Sequence, residues 1–214
     1  MIKVNKILGM IVLSTLASKS IAENNEVDFS DPTSVYSQAG ISAGTEGVDV
    51  NVGYGGYLGG FYKHKLTLEA KNDWDYFNVD YMLFNTASDT GFLFDSTWSQ
   101  EYRGNSVDKA SIGVIKKLAF AGNKLHVYPS LNLGLMWGDE ISSTTYLEVD
   151  APITYTIDKL WVGATPSYIY SMKGENVKEF ETTFDVGYHI APGVGISAHV
   201  NLDGDVWADF RFAF

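Results

Sequence analysis

The amino-acid sequence predicts an all-β chain: a transmembrane, antiparallel, up-and-down β-barrel. Three observations predict it. Segment after segment alternates apolar and polar residues with a period of two, which gives a strand one greasy face and one polar face. After residue 22 no apolar run approaches the roughly 20 residues of a spanning helix. The composition, with 21 Gly, 13 Tyr, 12 Phe and 5 Trp among 214 residues, favours strands and tight turns. Lipid offers a free strand edge no hydrogen-bond partner, so such strands cross a bilayer only as a closed barrel.

The first element is a leader. Met1–Lys6 supplies two lysines, Ile7–Ala17 is an apolar run too short to span, and Ser20 and Ala22 are the small residues before a cut. This pattern marks residues 1–22 as a secretory signal peptide, with a mature chain from Glu23. Residues 23–34 form an acidic N-terminal segment, and residues 35–214 the barrel.

Strands follow between short turn signals. The candidates are Val35–Gly44, Val48–Leu58, Lys65–Lys71, Asp75–Asn85, Gly91–Tyr102, Asp108–Phe120, Leu125–Trp137, Thr144–Ile157, Leu160–Ser171, Glu179–Ile190, Val194–Leu202 and Val206–Phe214. Twelve is the count, with ten or eight as alternatives because glycines over Gly53–Gly60 blur the first boundaries. An even number puts both termini on the periplasmic side. In the sixth strand Lys116 falls on the apolar face. Either its stem snorkels to water or a bulge turns Lys116–Lys117 inward.

The last strand is the most regular. Val206, Ala208, Phe210, Phe212 and Phe214 share one face, with Trp207, Asp209 and Arg211 on the other. Phe210, Phe212 and Phe214 resemble the C-terminal assembly signal of bacterial outer-membrane proteins, although Asp209 stands where a small residue is common. That resemblance implies a bacterial outer-membrane location, with outer-membrane lipid and the barrel-assembly machinery as partners. With Phe214 at the periplasmic rim, lipid-facing Trp98, Tyr102, Trp137, Tyr170 and Phe180 fall near the outer rim. Phe92, Phe94, Phe120, Tyr155, Tyr188, Phe212 and Phe214 fall near the inner one, giving two aromatic belts.

The opposite face lines a lumen. Its acids are Asp49, Glu69, Asp80, Asp95, Glu101, Glu148, Asp150, Glu179, Glu181, Asp185 and Asp209, against the bases Lys65, Lys71, Lys109, Lys117 and Arg211. Glu148, Asp150, Glu179 and Glu181 concentrate the charge. Pairing Ile190 with Val194 sets Asp185 opposite His199, and pairing Leu202 with Val206 sets His199 opposite Asp209, with Arg211 nearby. This is an acid–base or cation-binding cluster, or a network that holds the barrel's shape.

Several functions are disfavoured. A net charge of −11 leaves no basic patch to replace phosphate counterions, which argues against nucleic acid. The absence of Cys excludes disulfides and thiolate metal sites, and His64, His126 and His189 lack metal-ligand spacing, so no metal or cofactor is expected. His199–Val200–Asn201 lacks the serine that a barrel lipase carries two residues after its His, and no enzyme is expected. Size, strand count and short loops resemble the small monomeric twelve-stranded porins. The resemblance implies a monomer that passes solutes, but those that carry acidic sugars line their lumens with Arg and Lys. The expectation is therefore a channel for passive passage of small neutral or cationic solutes, the alternative being a closed structural or adhesive barrel without transport. Deleting Phe214 is expected to lower the heat-modifiable, membrane-inserted fraction sharply; normal insertion of the shortened chain would contradict the assembly-signal reading.

Overall fold

A computed structural model describes residues 27–214 except Arg103, Asp139 and Glu140, so the expected signal peptide (1–22) and the start at Glu23 lie outside the described residues. Twelve strands cross the wall. They are β1 (Gln38–Gly44), β2 (Gly47–Gly59), β3 (Tyr62–Lys71), β4 (Tyr76–Asn85), β5 (Thr90–Tyr102), β6 (Asn105–Lys116, resuming at Leu118–Phe120) and β7 (Leu125–Val127, resuming at Ser130–Gly138). The remainder are β8 (Ile141–Asp150, resuming at Ile153–Ile157), β9 (Leu160–Lys173), β10 (Lys178–Ala191), β11 (Val194–Asn201) and β12 (Val206–Ala213). Each pairs antiparallel with its sequence neighbour. β1 pairs with β12, from Gln38 opposite Ala213 to Gly44 opposite Trp207, and the sheet closes into a twelve-stranded barrel. β1 begins three residues later than the alternation suggests, because Val35, Tyr36 and Ser37 turn into the lumen.

Parity sorts the side chains. Ile112, Val114, Leu131, Leu133, Leu135, Val162, Phe184 and Val186 stand exposed on the outside. So many apolar residues in a continuous band suit lipid rather than water. Trp98, Trp137, Tyr170, Phe180, Phe92, Phe120, Tyr188 and Phe212 are exposed on this face, and the Phe214 ring lies 6.0 Å from that of Phe212. The inward face carries Met82, Phe84, Tyr128, Met136, Tyr146 and Trp161, all buried.

Three local features depart from simple alternation. At Ser99 (φ 63°) a bulge interrupts the β5–β6 ladder. Before it Thr97 and Asp95 point inward; after it Gln100 lies opposite buried Val107 and Glu101 opposite Ser106. The extra residue inverts parity, so Glu101 is exposed outside the lumen rather than within it. At Lys117 the β6 ladder breaks. Lys116 remains on the outer face and its ammonium reaches the carbonyl of Ser88 in the β4–β5 turn, while Lys117 turns inward. In the final hairpin the expected pairing slips by two. Asn201 and Asp205 close the turn with two hydrogen bonds of 2.8 and 3.0 Å, so Val200 pairs with Val206 and Leu202 is left in the loop. A slip of two preserves the faces and changes only the partners.

The breaks in β6, β7 and β8 lie side by side. Lys116 N–H donates to the Pro129 carbonyl, Tyr128 N–H to that of Pro152, and Ala151 N–H to that of Pro166 on β9. Three of the five prolines thus form a diagonal seam across adjacent strands, at positions where each lacks the N–H a ladder uses.

Quenching separates the two faces. Brominated acyl chains are expected to quench Trp98 and Trp137, which are 48 % and 38 % exposed, and to spare Trp161 and Trp207 in the lumen. Selective quenching of Trp207 would mean that β12 is inverted.

Candidate functional site

The lumen divides into two halves of opposite charge. In the half away from Phe214, the outer half in the orientation expected of such barrels, carboxylates dominate. Glu148 and Glu179 both lie opposite Ile169, on β8 and β10, while Asp150 and Glu181 both lie opposite Ser167. The four acids therefore flank β9 in two opposed pairs. Asp150 Oδ2 accepts hydrogen bonds from Ser130 Oγ and Asn132 Nδ2, at 3.0 and 3.1 Å. Asp80 and Asp95 are directly opposite across β4–β5, and Asn78 Nδ2 donates to Asp80 at 2.9 Å. Lys71 lies 3.3 Å from Glu69.

Midway down, the residues expected around His199 converge with altered partners. Asp185 is opposite His199, as the β10–β11 turn predicts. Opposite His199 on β12 stands Trp207 rather than Asp209, a consequence of the two-residue slip, and the two rings stack at 5.0 Å and 5°. Asp209 moves opposite Ser197 but still reaches His199 Nε2 diagonally at 3.0 Å. Ser197 Oγ lies 2.9 Å from the same nitrogen and accepts a hydrogen bond from Arg211 Nη2 at 3.1 Å. Trp161 Nε1 donates to Asp185 at 3.0 Å. Serine and aspartate on one ring nitrogen cannot relay a proton through the imidazole, so Ser197, His199 and Asp209 do not form a nucleophile–base–orienter array. Among the described residues no group of three or more His, Asp or Glu side chains is placed to hold a metal ion.

The half nearest Phe214 is basic and holds the segment that precedes β1. Lys63, Lys65, Lys117 and Arg211 enter it from β3, β6 and β12. Each cation lies over an aromatic ring, at 5.0 Å (Lys63, Phe84), 5.6 Å (Lys65, Tyr36), 6.0 Å (Lys117, Tyr128) and 5.3 Å (Arg211, Phe29). Residues 27–37 cross between them. Asp28 lies 3.6 Å from His189, and the Phe29 carbonyl accepts a hydrogen bond from Arg211 at 3.3 Å. The Ser30 carbonyl accepts one from Thr154 at 3.2 Å, and Asp31 pairs with Lys117 at 2.7 Å. Val35 packs on the Met82–Phe84–Ile115–Tyr128 cluster, and Phe29 with Trp161.

The wall is shaped to this segment. A Cβ at Gly195 would lie 2.6 Å from the Phe29 ring, and one at Gly55 2.8 Å from Tyr36 N. Sequence reasoning took residues 23–34 only as an acidic stretch. Asp28-x-Ser30 and Asp31-x-Thr33 signal only its local turns, where each aspartate accepts the backbone N–H two residues on, at 2.9 and 2.8 Å.

Burial alone would raise the Asp31 carboxyl, but hydrogen bonds from Lys117 and Thr33 and the Lys117 charge outweigh it and hold the group below its ordinary value. A depressed carboxylate stabilises the docked segment fully above its free-chain value, and that contribution is lost as pH falls through the lower, docked value. Lys117 on β6 and Lys63 and Lys65 on β3 are cations that act on it. D31N is therefore expected to raise amide exchange over residues 27–37 at neutral pH, to a level the parent chain reaches only in acid. Phe29→Ala is expected to raise it further, since truncating a buried Phe costs about 3 kcal/mol. Exchange unchanged in both variants would show that these contacts do not hold the segment.

No protein-family model matches the chain, and no curated protein does. Solved structures do. The chain is similar to the NanC porin, with a TM-score of 0.55 and 9 % identity over 85 % of this chain and 99 % of that one. It is also similar to the KdgM porin in complex with disordered oligogalacturonate, with a TM-score of 0.50 and 7 % identity over 84 % and 99 %. At such identities the likeness is one of architecture: the fold is that of a small outer-membrane porin barrel.

Proposed function

We propose that the chain is an outer-membrane channel that passes small neutral or cationic solutes by diffusion, and that it is not an enzyme. The observation that carries this reading is the lumen's outer half, where Glu148, Asp150, Glu179, Glu181, Asp80 and Asp95 face inward behind an apolar outer wall. Charges are tolerated inside a barrel when they are hydrated or paired, and rings of acidic side chains favour cations. Twelve strands lie between the eight that side chains can fill and the sixteen or more that leave a wide channel. The porin architecture fits this role. Lipid and the barrel-assembly machinery are the partners we infer, and the monomer its working form.

A second reading, a closed structural barrel, is favoured by one feature: residues 27–37 occupy the other half of the lumen. Conductance across a planar bilayer separates the two. The channel is expected to show cation preference in its reversal potential. E179Q with E181Q is expected to move that potential toward neutrality, and the preference to weaken near 1 M salt, where screening acts within about 3 Å. Anion preference in the parent chain would overturn the acidic-pathway reading; no conductance, with or without residues 27–34, would establish the closed barrel.

A further inference from the structure

We infer that residues 27–36 are a removable plug: docked, they block the lumen at the end that carries Phe214, and conduction requires their withdrawal. The inference rests on the channel reading above and adds the gate to it.

Extent is the first argument. The segment touches His189 on β10, the Gly195 backbone on β11 and Arg211 on β12 through Asp28 and Phe29. It meets Thr154 and Thr156 on β8 through Ser30, and Lys117 on β6 through Asp31. Tyr36 and Val35 then reach Lys65 on β3 and the cluster on β4, β6 and β7. A chain that contacts opposite walls in succession lies across the path of a solute.

Chemical complementarity is the second. Two aspartates enter the half of the lumen whose wall supplies Lys63, Lys65, Lys117 and Arg211, and two of the segment's own rings lie beneath two of those cations. Glycine at positions 55 and 195 leaves room where backbone or ring presses on the wall. These features describe a built seat rather than a chance collapse.

The third argument is that the seat can be left. Strand pairing begins only at Gln38, and the backbone-to-backbone bonds of residues 27–36 run within the segment, from Asp31 to Asp28 and from Ser34 to Asp31. The wall holds the segment by side-chain bonds, ion pairs and ring contacts, so withdrawal leaves every ladder of the barrel intact. Withdrawal would also uncover the basic side chains that the segment covers, and they then line the open pathway at this end.

A disulfide tests this directly, because the chain contains no cysteine. The hydroxyl oxygens of Ser30 and Thr156 lie 3.4 Å apart, near enough for sulfurs at both positions to close to the bond length of about 2.05 Å. S30C with T156C is expected to lose conductance when oxidised and to regain it on reduction, in the same bilayer. Removing residues 27–34 is expected to give a constitutively open channel that no longer needs the segment's withdrawal, with heat-modifiability reporting that the barrel has folded. Equal conductance of the oxidised and reduced forms would overturn the plug and leave the channel reading standing. Absence of conductance in every form, including the shortened one, would overturn both.

Discussion

Everything in this molecule depends on the pairing of its first strand with its last. Inside a bilayer an open sheet edge leaves backbone N–H and C=O groups without partners, and the β1–β12 ladder, from Gln38–Ala213 to Gly44–Trp207, removes the only edges the sheet would have. That pairing also fixes where the chain enters. Ser37 accepts the amide of Phe214 at 2.9 Å, so whatever precedes β1 starts at the rim shared with the last residue. The segment's position in the lumen follows from closure as much as from its own contacts.

The second organising element is the separation of charge along the barrel axis. Twelve strands enclose a wider interior than the eight that side chains can fill, and a low-dielectric wall makes unpaired charge costly. One half meets this requirement with carboxylates held by Ser130, Asn132 and Asn78. The other meets it with cations seated on rings and an acidic strap laid among them. His199, stacked on Trp207 and bonded to Asp209, marks the boundary.

The wall was readable from the sequence because its information is local. Period-two alternation gives each residue's face, and short turns fix direction, so the strand positions and the outward set of Trp98, Trp137, Phe180 and Tyr188 could be written down in advance. The misplacements of Glu101 and of the partner of His199 come from devices that alternation does not encode: a bulge at Ser99, and a turn closed by Asn201 and Asp205 two residues earlier than hydrophobic matching suggests. The segment was unreadable for a different reason. Its contacts join residues more than a hundred positions apart, such as Ser30 with Thr154 and Phe29 with Arg211, and no periodicity connects them. Sorting the inward lysines and arginine by height, rather than summing charge over the whole lumen, would have pointed to an acidic partner at that end.

The proline seam through β7, β8 and β9 gives the barrel a mechanical anisotropy. Around most of the circumference, neighbouring strands are joined by continuous ladders, which resist both shear and ovalisation. Along the line Pro129, Pro152 and Pro166 each strand in turn lacks one ladder donor, and the cylinder is softer there than where the ladders are continuous. This soft line lies in the wall that Ser30 and Asp31 touch. Lateral pressure from the bilayer, which acts on the whole cylinder equally, is therefore answered unequally, and its deformation concentrates along that diagonal.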